Sequence, residues 1–163
     1  MTSKINFGII GCSSVAKKSF IPALLKTNHA VLESVGSRSI SKSKFIAQKL
    51  HCKNFGNYDD VLENKKIDAV YISLPIALQE KWIMKAAKAG KHILCEKSST
   101  TSYESAKKIT KVCKENDVRI LEAFSYRFHP QHNHVQKLIK NDIGVVKNFV
   151  GKFGFSPPSK NNI

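Results

Sequence analysis

The chain has 163 residues, of which 42% are hydrophobic, and its 27 lysines and arginines exceed its 12 aspartates and glutamates to give a formal net charge of +15. A chain of this length can bury roughly 70% of its extended surface, which excludes disorder and a small disulfide-stapled fold. No apolar run reaches the about 20 residues that span a bilayer, and the amino terminus lacks the apolar stretch of a signal peptide. Composition therefore predicts a cytoplasmic protein with no membrane partner, whose four cysteines stay as thiols.

The positive charge is carried almost entirely by lysine, since the only arginines are Arg38, Arg119 and Arg127. Proteins that read nucleic acid favour arginine, which makes bidentate contacts to bases and phosphates. The lysines are spread along the chain, and those at 107, 108, 111 and 114 stand beside apolar residues at helical spacing, as on a solvated helix face. Nucleic acid is therefore not the favoured partner, although a basic polyanion-binding protein remains an alternative.

Short β-branched runs alternate with longer segments of helical period, which is typical of a parallel sheet covered by helices. This pattern predicts strands over residues 5–10, 30–36, 53–55, 67–74, 92–95 and 118–124. It predicts helices over residues 14–26, 41–50, 59–63, 78–90, 102–116 and 130–141. Residues 1–143 are therefore expected to form one α/β domain with a doubly wound parallel sheet.

Beyond Gly144 the helical period gives way to strict alternation, with Phe149, Phe153 and Phe155 on one face. The alternation predicts a single strand over residues 145–155. A strand with no partner is an exposed edge, which favours self-association. Residues 144–163 are therefore expected to begin a second, incomplete α/β domain.

The first predicted strand runs directly into Gly11, Cys12, Ser13, Ser14 and Val15, which open a helix. Gly11 can make the tight turn, and the amides that follow it can point at a pyrophosphate on the helix N-terminus. Ser13 stands where the G-x-G-x-x-G fingerprint has its second glycine, which adds a side chain where backbone approaches phosphate. The turn indicates a dinucleotide site but does not by itself exclude an ordinary strand-to-helix turn.

The end of the second strand discriminates between cofactors. Dinucleotide folds that bind NAD hold its ribose 2′-hydroxyl with a carboxylate at this position. Here the chain has Ser37 and Arg38 between Gly36 and Ser39, and no acid. A guanidinium forms a bidentate, charged hydrogen-bonded pair with phosphate and stacks on adenine. The sequence therefore favours NADP over NAD.

Polar residues also follow the later strands, at the edge where ligands of doubly wound sheets lie. Glu96 and Lys97 follow the fifth strand, and a lysine there can hydrogen-bond a ribose or a substrate hydroxyl and transfer a proton. Tyr126, Arg127 and His129 follow the sixth strand. Tyr126 and Arg127 could equally serve packing alone.

Three histidines, His129, His132 and His134, could suggest a metal site. Pro130 interrupts their spacing, and the cluster contains no cysteine or acidic residue to complete a set of ligands. The sequence therefore predicts no metal site.

Together these stretches resemble the Gfo/Idh/MocA family, the glucose–fructose oxidoreductase, inositol dehydrogenase and rhizopine-catabolism oxidoreductases. The resemblance is greatest to the branch that contains NADP-dependent dihydrodiol and D-xylose dehydrogenases. It is carried by residues 8–16, 20–23, 37–38, 67–75, 86–92, 95–97 and 122–130. It implies an NAD(P)-binding Rossmann fold followed by a second α/β domain that supplies the substrate wall.

The resemblance also implies roles for the residues at the strand ends. The loop from Gly11 to Val15 would cradle the pyrophosphate, and Ser37 with Arg38 would bind the 2′-phosphate. Leu74 and Pro75 would line the cofactor groove.

The nicotinamide end of the site is implied in the same way. Glu96 and Lys97 would lie there, with Lys97 as the catalytic residue at the reacting carbon, and Arg127 completes the cofactor-binding candidates. Ser98 stands where the family has proline and loses proline's fixed φ. Gln79 replaces a histidine of the family's pattern, so a polar contact is altered.

The implied function is hydride transfer between NADP(H) and a small sugar, polyol or dihydrodiol substrate. Family members are longer, so this chain is expected to be a truncated, cofactor-binding part with little or no activity alone. A non-catalytic NADP(H)-binding remnant or sensor module is the alternative.

Overall fold

The structure, a computed structural model, describes residues 3–152 and 154. It divides into two compact units, Met1–Phe124 and Ser125–Ile163. The first unit holds a six-stranded sheet of order β3-β2-β1-β4-β5-β6, in which every neighbouring pair is parallel. The strand order reverses beside β1, which is the arrangement of a doubly wound Rossmann sheet. The predicted fold class is confirmed.

The six strands are β1 Ile5–Ile10, β2 Ala30–Gly36, β3 Asn54–Gly56, β4 Ala69–Ile72, β5 His92–Cys95 and β6 Ile120–Glu122. The β-branched runs predict β1, β2 and β5 to the residue. Strands β4 and β6 are shorter than predicted, because pairing with the neighbouring strands covers only Ala69–Ile72 and Ile120–Glu122.

The helices are α1 Ile21–Lys26, α2 Ile40–Lys49, α3 Tyr58–Glu63, α4 Ile76–Lys88, α5 Tyr103–Glu115 and α6 Pro130–Leu138. A wider π-helical turn, Ala16–Phe20, leads into α1, and another, Ile139–Ile143, follows α6. Ser39 and Ser102 accept backbone hydrogen bonds at the starts of α2 and α5. Hydroxyl caps at these positions stabilise helix N-termini. None of the helices within the described residues is long and apolar enough to cross a bilayer.

The core lies on both faces of the sheet. Under α3, α4 and α5 it includes Ile10, Val61, Val70, Ile83 and Ile109. On the opposite face, Ile9 and Tyr71 pack with Ala16 and Ile21, which lead into and open α1. Every residue of β4 is buried, as expected for a central strand of a parallel sheet. This core fixes the carboxyl ends of the strands, where the candidate site lies.

The second unit contains a 3₁₀ turn over Ser125–Phe128, then α6 and the π-helical turn. The strand predicted over residues 145–155 is wrong for residues 145–152, which form no strand. A strand needs a neighbour for its backbone N–H and C=O groups, and the described part of this unit offers none. Phe153 and Phe155 lie outside the described residues. The domain boundary at residue 143 and self-association through this segment stay predictions.

Candidate dinucleotide-binding site

Gly11 joins the ends of three strands at the centre of the sheet. Its φ is +98°, and a Cβ at this position would lie 2.7 Å from the Ser73 carbonyl oxygen and 2.7 Å from Leu74 Cδ2. The Gly11 amide donates to the Gly36 carbonyl at 3.2 Å, and its own carbonyl accepts from Ser73 Oγ at 2.7 Å. Only glycine fits such a conformation and such a close approach. The turn expected from the sequence therefore forms at the point where the strand order reverses.

Ser13 uses its polar groups to cap the helix that follows. Its Oγ accepts from the Ala16 amide at 3.0 Å, and its carbonyl accepts from the Lys17 amide at 3.2 Å. The first amides of a helix have no intrahelical acceptors, and Ser14 and Val15 are exposed there. Amides in this arrangement bind anions such as a pyrophosphate. The serine in place of glycine thus has a local structural role, and binding of a pyrophosphate at this turn stays a prediction.

Cys12 is a buried spacer between β1 and β2. Its Sγ donates to the Gly36 carbonyl at 3.6 Å. Burial raises the pKa of the Cys12 thiol above its ordinary value, although the charges of Lys42 and Lys17 act to lower it. A thiol that stays protonated is a poor nucleophile, so Cys12 serves packing and not covalent chemistry.

Arg38 is exposed at the end of β2, in the turn that leads into α2. Burial raises the pKa of the Tyr58 hydroxyl, whereas the charge and the backbone of Arg38 act to lower it. Ser37 is buried, and its Oγ accepts from the Ser39 amide at 3.4 Å. The turn therefore presents one guanidinium to solvent, and the Ser37 hydroxyl is engaged in holding the turn. Contact of Ser37 with a 2′-phosphate stays a prediction.

Leu74 and Pro75 connect β4 to α4. Leu74 is half-buried and packs on the core, with Cδ2 beside Gly11. Pro75 is exposed at the N-cap of α4. Both follow β4 on the same side of the sheet as the Gly11 turn, and their contact with a cofactor stays a prediction.

Glu96 is held by a tyrosine from the interior of the sheet. The Tyr71 hydroxyl donates to Glu96 Oε1 at 2.5 Å, and the Tyr71 ring is stacked on Phe20 with centroids 3.8 Å apart. Burial, followed by the neighbouring Glu96, raises the pKa of Tyr71 far above its ordinary value. Tyr71 therefore remains a proton donor that orients the Glu96 carboxylate.

Lys97 is exposed, and the backbone next to it is held from two sides. Gln79 Nε2 donates to the Ser98 carbonyl at 3.1 Å, and the Ser99 amide donates to Glu122 Oε1 at 2.9 Å. The peptide bond between Lys97 and Ser98 is cis. The loop thus presents an ammonium group at the end of β5 from a fixed backbone.

The sequence alone does not indicate site roles for Tyr71 and Glu122, and it marks Gln79 only as a departure from the family pattern. A hydroxyl within the apolar run of β4 was the one available signal for Tyr71. Arg127 lies in the second unit, in the turn Ser125–Phe128, and its role stays a prediction.

The histidines of the second unit take part in local structure. His129 Nδ1 accepts from the Gln131 amide at 3.2 Å and caps α6, and the His132 ring packs against Tyr126. Within residues 3–152 and 154, no three histidine, cysteine or acidic side chains are grouped to hold a metal ion.

Comparison with known proteins relates this chain to oxidoreductases. Residues 5–124 match the sequence model of a family described as an oxidoreductase family with an NAD-binding Rossmann fold. The chain is 34% identical over 153 residues to D-xylose 1-dehydrogenase (NADP(+)) 2 of Haloferax volcanii, covering 93% of this chain and 47% of that protein. It is 31% identical over 160 residues to dTDP-3,4-didehydro-2,6-dideoxy-alpha-D-glucose 3-reductase of Actinomadura kijaniata, covering 98% of this chain and 48% of that protein.

Solved structures show the same similarity. The 3-ketoreductase KijD10 of Actinomadura kijaniata, in complex with NADP and TDP-benzene, superposes with a TM-score of 0.82 at 31% identity, over 86% of this chain and 43% of that one. Apo scyllo-inositol dehydrogenase of Lactobacillus casei gives a TM-score of 0.77 at 23% identity, over 86% of this chain and 42% of that one, which supports the fold alone. The chain spans about half the length of the curated relatives it matches.

Proposed function

The chain belongs to the Gfo/Idh/MocA family of oxidoreductases, and we propose that it is the NADP(H)-binding part of an enzyme acting on a small sugar, polyol or dihydrodiol. The single observation that carries the choice of NADP is Arg38, exposed at the end of β2 with no acid in the Ser37–Ser39 turn. The names of relatives that use NADP and act on sugars support the same choice.

The chain's own residues bind the cofactor along the carboxyl edge of the sheet. The amides after Gly11 hold the pyrophosphate, and the Arg38 guanidinium pairs with the 2′-phosphate. Leu74 and Pro75, which follow β4, line the groove on the other side of the Gly11 turn from Arg38. When bound, NADP(H) supplies the hydride donor or acceptor. These contacts would orient the nicotinamide ring toward the end of β5.

Lys97 is the catalytic residue of this proposal. Its ammonium group donates a hydrogen bond to the substrate oxygen and gives that oxygen a proton when a carbonyl is reduced to a hydroxyl. In the reverse direction the neutral amine accepts the proton from the hydroxyl. Its exposure at the end of β5 supports this role. The chain spans about half the length of its relatives, so the substrate contacts and the overall activity are part of this proposal. We expect little or no turnover from the 163 residues alone.

The test is a titration of the 163-residue chain with NADPH and with NADH, repeated for Arg38→Ala. Loss of a charge-assisted hydrogen bond is worth about 1.5–3 kcal/mol, so NADPH should bind about 10- to 100-fold more weakly to the variant, with NADH little changed. Arg119→Ala is the matched control, since Arg119 stands at the amino end of β6, whereas Arg38 follows the carboxyl end of β2. Equal effects of Arg38→Ala on both nucleotides would contradict the choice of NADP.

A further inference from the structure

We propose that Tyr71, Gln79 and Glu122 clamp the loop of residues 96–99 in place for the nicotinamide half of the cofactor, without touching the cofactor themselves. This inference rests on the proposed function. The three side chains come from three different elements, β4, α4 and β6. They bind the Glu96 carboxylate, the Ser98 carbonyl and the Ser99 amide. The side chains of Lys97 and Ser98 are exposed and take no part in these three hydrogen bonds.

The Tyr71 anchor is rigid because the ring is buried and stacked on a second aromatic ring. Tyr71 is 1% exposed, and Phe20 stacks on it at an interplanar angle of 12°. Phe20 is in turn packed edge-on against Phe7, with centroids 5.6 Å apart. A hydroxyl held this firmly fixes the direction of the Glu96 carboxylate, since rotation of either side chain would break the hydrogen bond.

The Gln79 anchor is polar where helix packing alone would favour an apolar residue. Gln79 is 1% exposed on α4, and its Nε2 donates to the Ser98 carbonyl. Its Oε1 is buried and has no hydrogen-bond partner within the described residues. A buried amide with an unpaired end is unfavourable. The hydrogen bond from Nε2 to the Ser98 carbonyl is therefore what the amide of Gln79 contributes, and this bond is made with the loop.

The Glu122 anchor acts from the last strand of the sheet. Its Oε1 accepts from the amide of Ser99, which is 8% exposed. The acceptor is aimed at backbone, so it fixes the course of the chain after Lys97 independently of the residue types in the loop. Together the anchors hold the chain before and after Lys97.

A loop that is already held loses less conformational freedom when the cofactor binds. The clamp should therefore contribute to affinity for the nicotinamide half alone. It should contribute nothing to the adenosine half, which the proposed function assigns to Gly11 and Arg38 at other strand ends. Loss of the clamp should therefore weaken binding of a ligand that contains the nicotinamide half and leave binding of the adenosine half unchanged.

The test compares two ligands with the 163-residue chain. NADPH contains both halves, whereas adenosine 2′,5′-bisphosphate contains only the adenosine half. Tyr71→Phe keeps the stacked ring and removes the hydroxyl, and Gln79→Leu keeps the side-chain volume and removes the amide. Loss of one hydrogen bond should weaken NADPH binding about three- to tenfold, while binding of the bisphosphate stays unchanged. Tyr103→Phe, on an exposed tyrosine of α5, is the control.

Glu122 provides a conservative pair. Glu122→Leu removes the acceptor for the Ser99 amide, and Glu122→Gln keeps an oxygen in its place. Glutamine should restore most of the NADPH affinity that leucine loses. Hydrogen exchange at the Ser99 amide gives a readout without any ligand, and exchange should accelerate in Glu122→Leu and Gln79→Leu while the amides of β4 stay protected.

Equal weakening of both ligands would show a general structural role, and no weakening of NADPH would show no role, so either result overturns the clamp. If the unaltered chain binds the bisphosphate and NADPH equally well, the nicotinamide half gains nothing from the loop and the clamp fails while the adenosine site stands. If it binds neither, the proposed function fails, and this inference fails with it.

Discussion

At the scale of single residues, Gly11 shows how the fold and the candidate site depend on the same atom positions. Its left-handed φ and its missing side chain allow the end of β1 to approach Ser73 closely. The same turn leads into Ser14 and Val15, which are exposed at the start of the helix. A change that disturbs the turn therefore alters stability and ligand binding together.

We predict that Gly11→Ala lowers the free energy of unfolding by about 2–4 kcal/mol, because both the positive φ and the contact with the Ser73 carbonyl are unfavourable. Urea denaturation measures this value. Gly90→Ala is the control, since Gly90 has a φ of +69° but no atom within 4 Å of an added Cβ. That variant should lose only about 1 kcal/mol. Equal losses in the two variants would mean that the close approach at Gly11 is relieved at no cost.

At the scale of elements, the sequence predicts strands and helices better than their ends. The strand β4 illustrates why. Apolar residues extend from Ile67 to Leu74 on both sides of Asp68 and Ser73, but pairing with β1 covers only Ala69 to Ile72, and chain connections occupy the rest. Alternation over residues 145–152 indicated a strand, yet a strand also requires a neighbour, which a local pattern does not supply.

Some residues of the candidate site can be predicted from the sequence and others cannot. Gly11 and Arg38 are predictable because strand-end position and residue type suffice to identify them. Tyr71, Gln79 and Glu122 act on residues that are 25, 19 and 23 positions away in the sequence. Such contacts depend on how α4 and β6 pack, which no local pattern contains.

A reciprocal pair of hydrogen bonds fixes the start of helix α3. Asn57 Oδ1 accepts from the Asp60 amide at 3.0 Å, and Asp60 Oδ2 accepts from the Asn57 amide at 2.6 Å. We predict that Asn57→Ala lowers the free energy of unfolding by about 1–2 kcal/mol. Thermal and urea denaturation measure the loss. Asn141→Ala, at an exposed position after α6, should change it by less than about 0.5 kcal/mol.

At the scale of the whole molecule, the response of stability to alkaline pH comes from thiols and tyrosine hydroxyls whose pKa is raised by burial. Burial raises the pKa of Cys12, Cys52, Cys95 and Cys113 above the ordinary value of 9.0, for Cys95 to about 12. A group whose pKa is raised by folding stabilises the protein below its unfolded pKa, and this contribution is lost as pH rises toward the folded pKa. Lys91 has the opposite sign, because burial lowers its pKa.

We predict that the free energy of unfolding falls as pH rises from 9.0 toward about 12, since folding raises the pKa of four thiols and of the Tyr58 and Tyr71 hydroxyls and lowers that of one ammonium group. Urea denaturation in the presence of a reducing agent, at several pH values across this range, measures the slope. Cys95→Ala should reduce the slope, because Cys95 is fully buried and carries the largest rise among the thiols. An unchanged slope in that variant would locate the alkaline sensitivity elsewhere.

The order of the strands also bears on how the protein is made. The first strand to be synthesised, β1, occupies the middle of the sheet, between β2 and β4. As the chain leaves the ribosome, β2 and then β3 can add on one side, and β4, β5 and β6 can add in turn on the other. Each new strand meets an edge that is already present, so no strand has to wait for a later partner. Domains begin to fold from the amino terminus during synthesis, and a sheet that grows outward from its first strand is suited to that direction of growth.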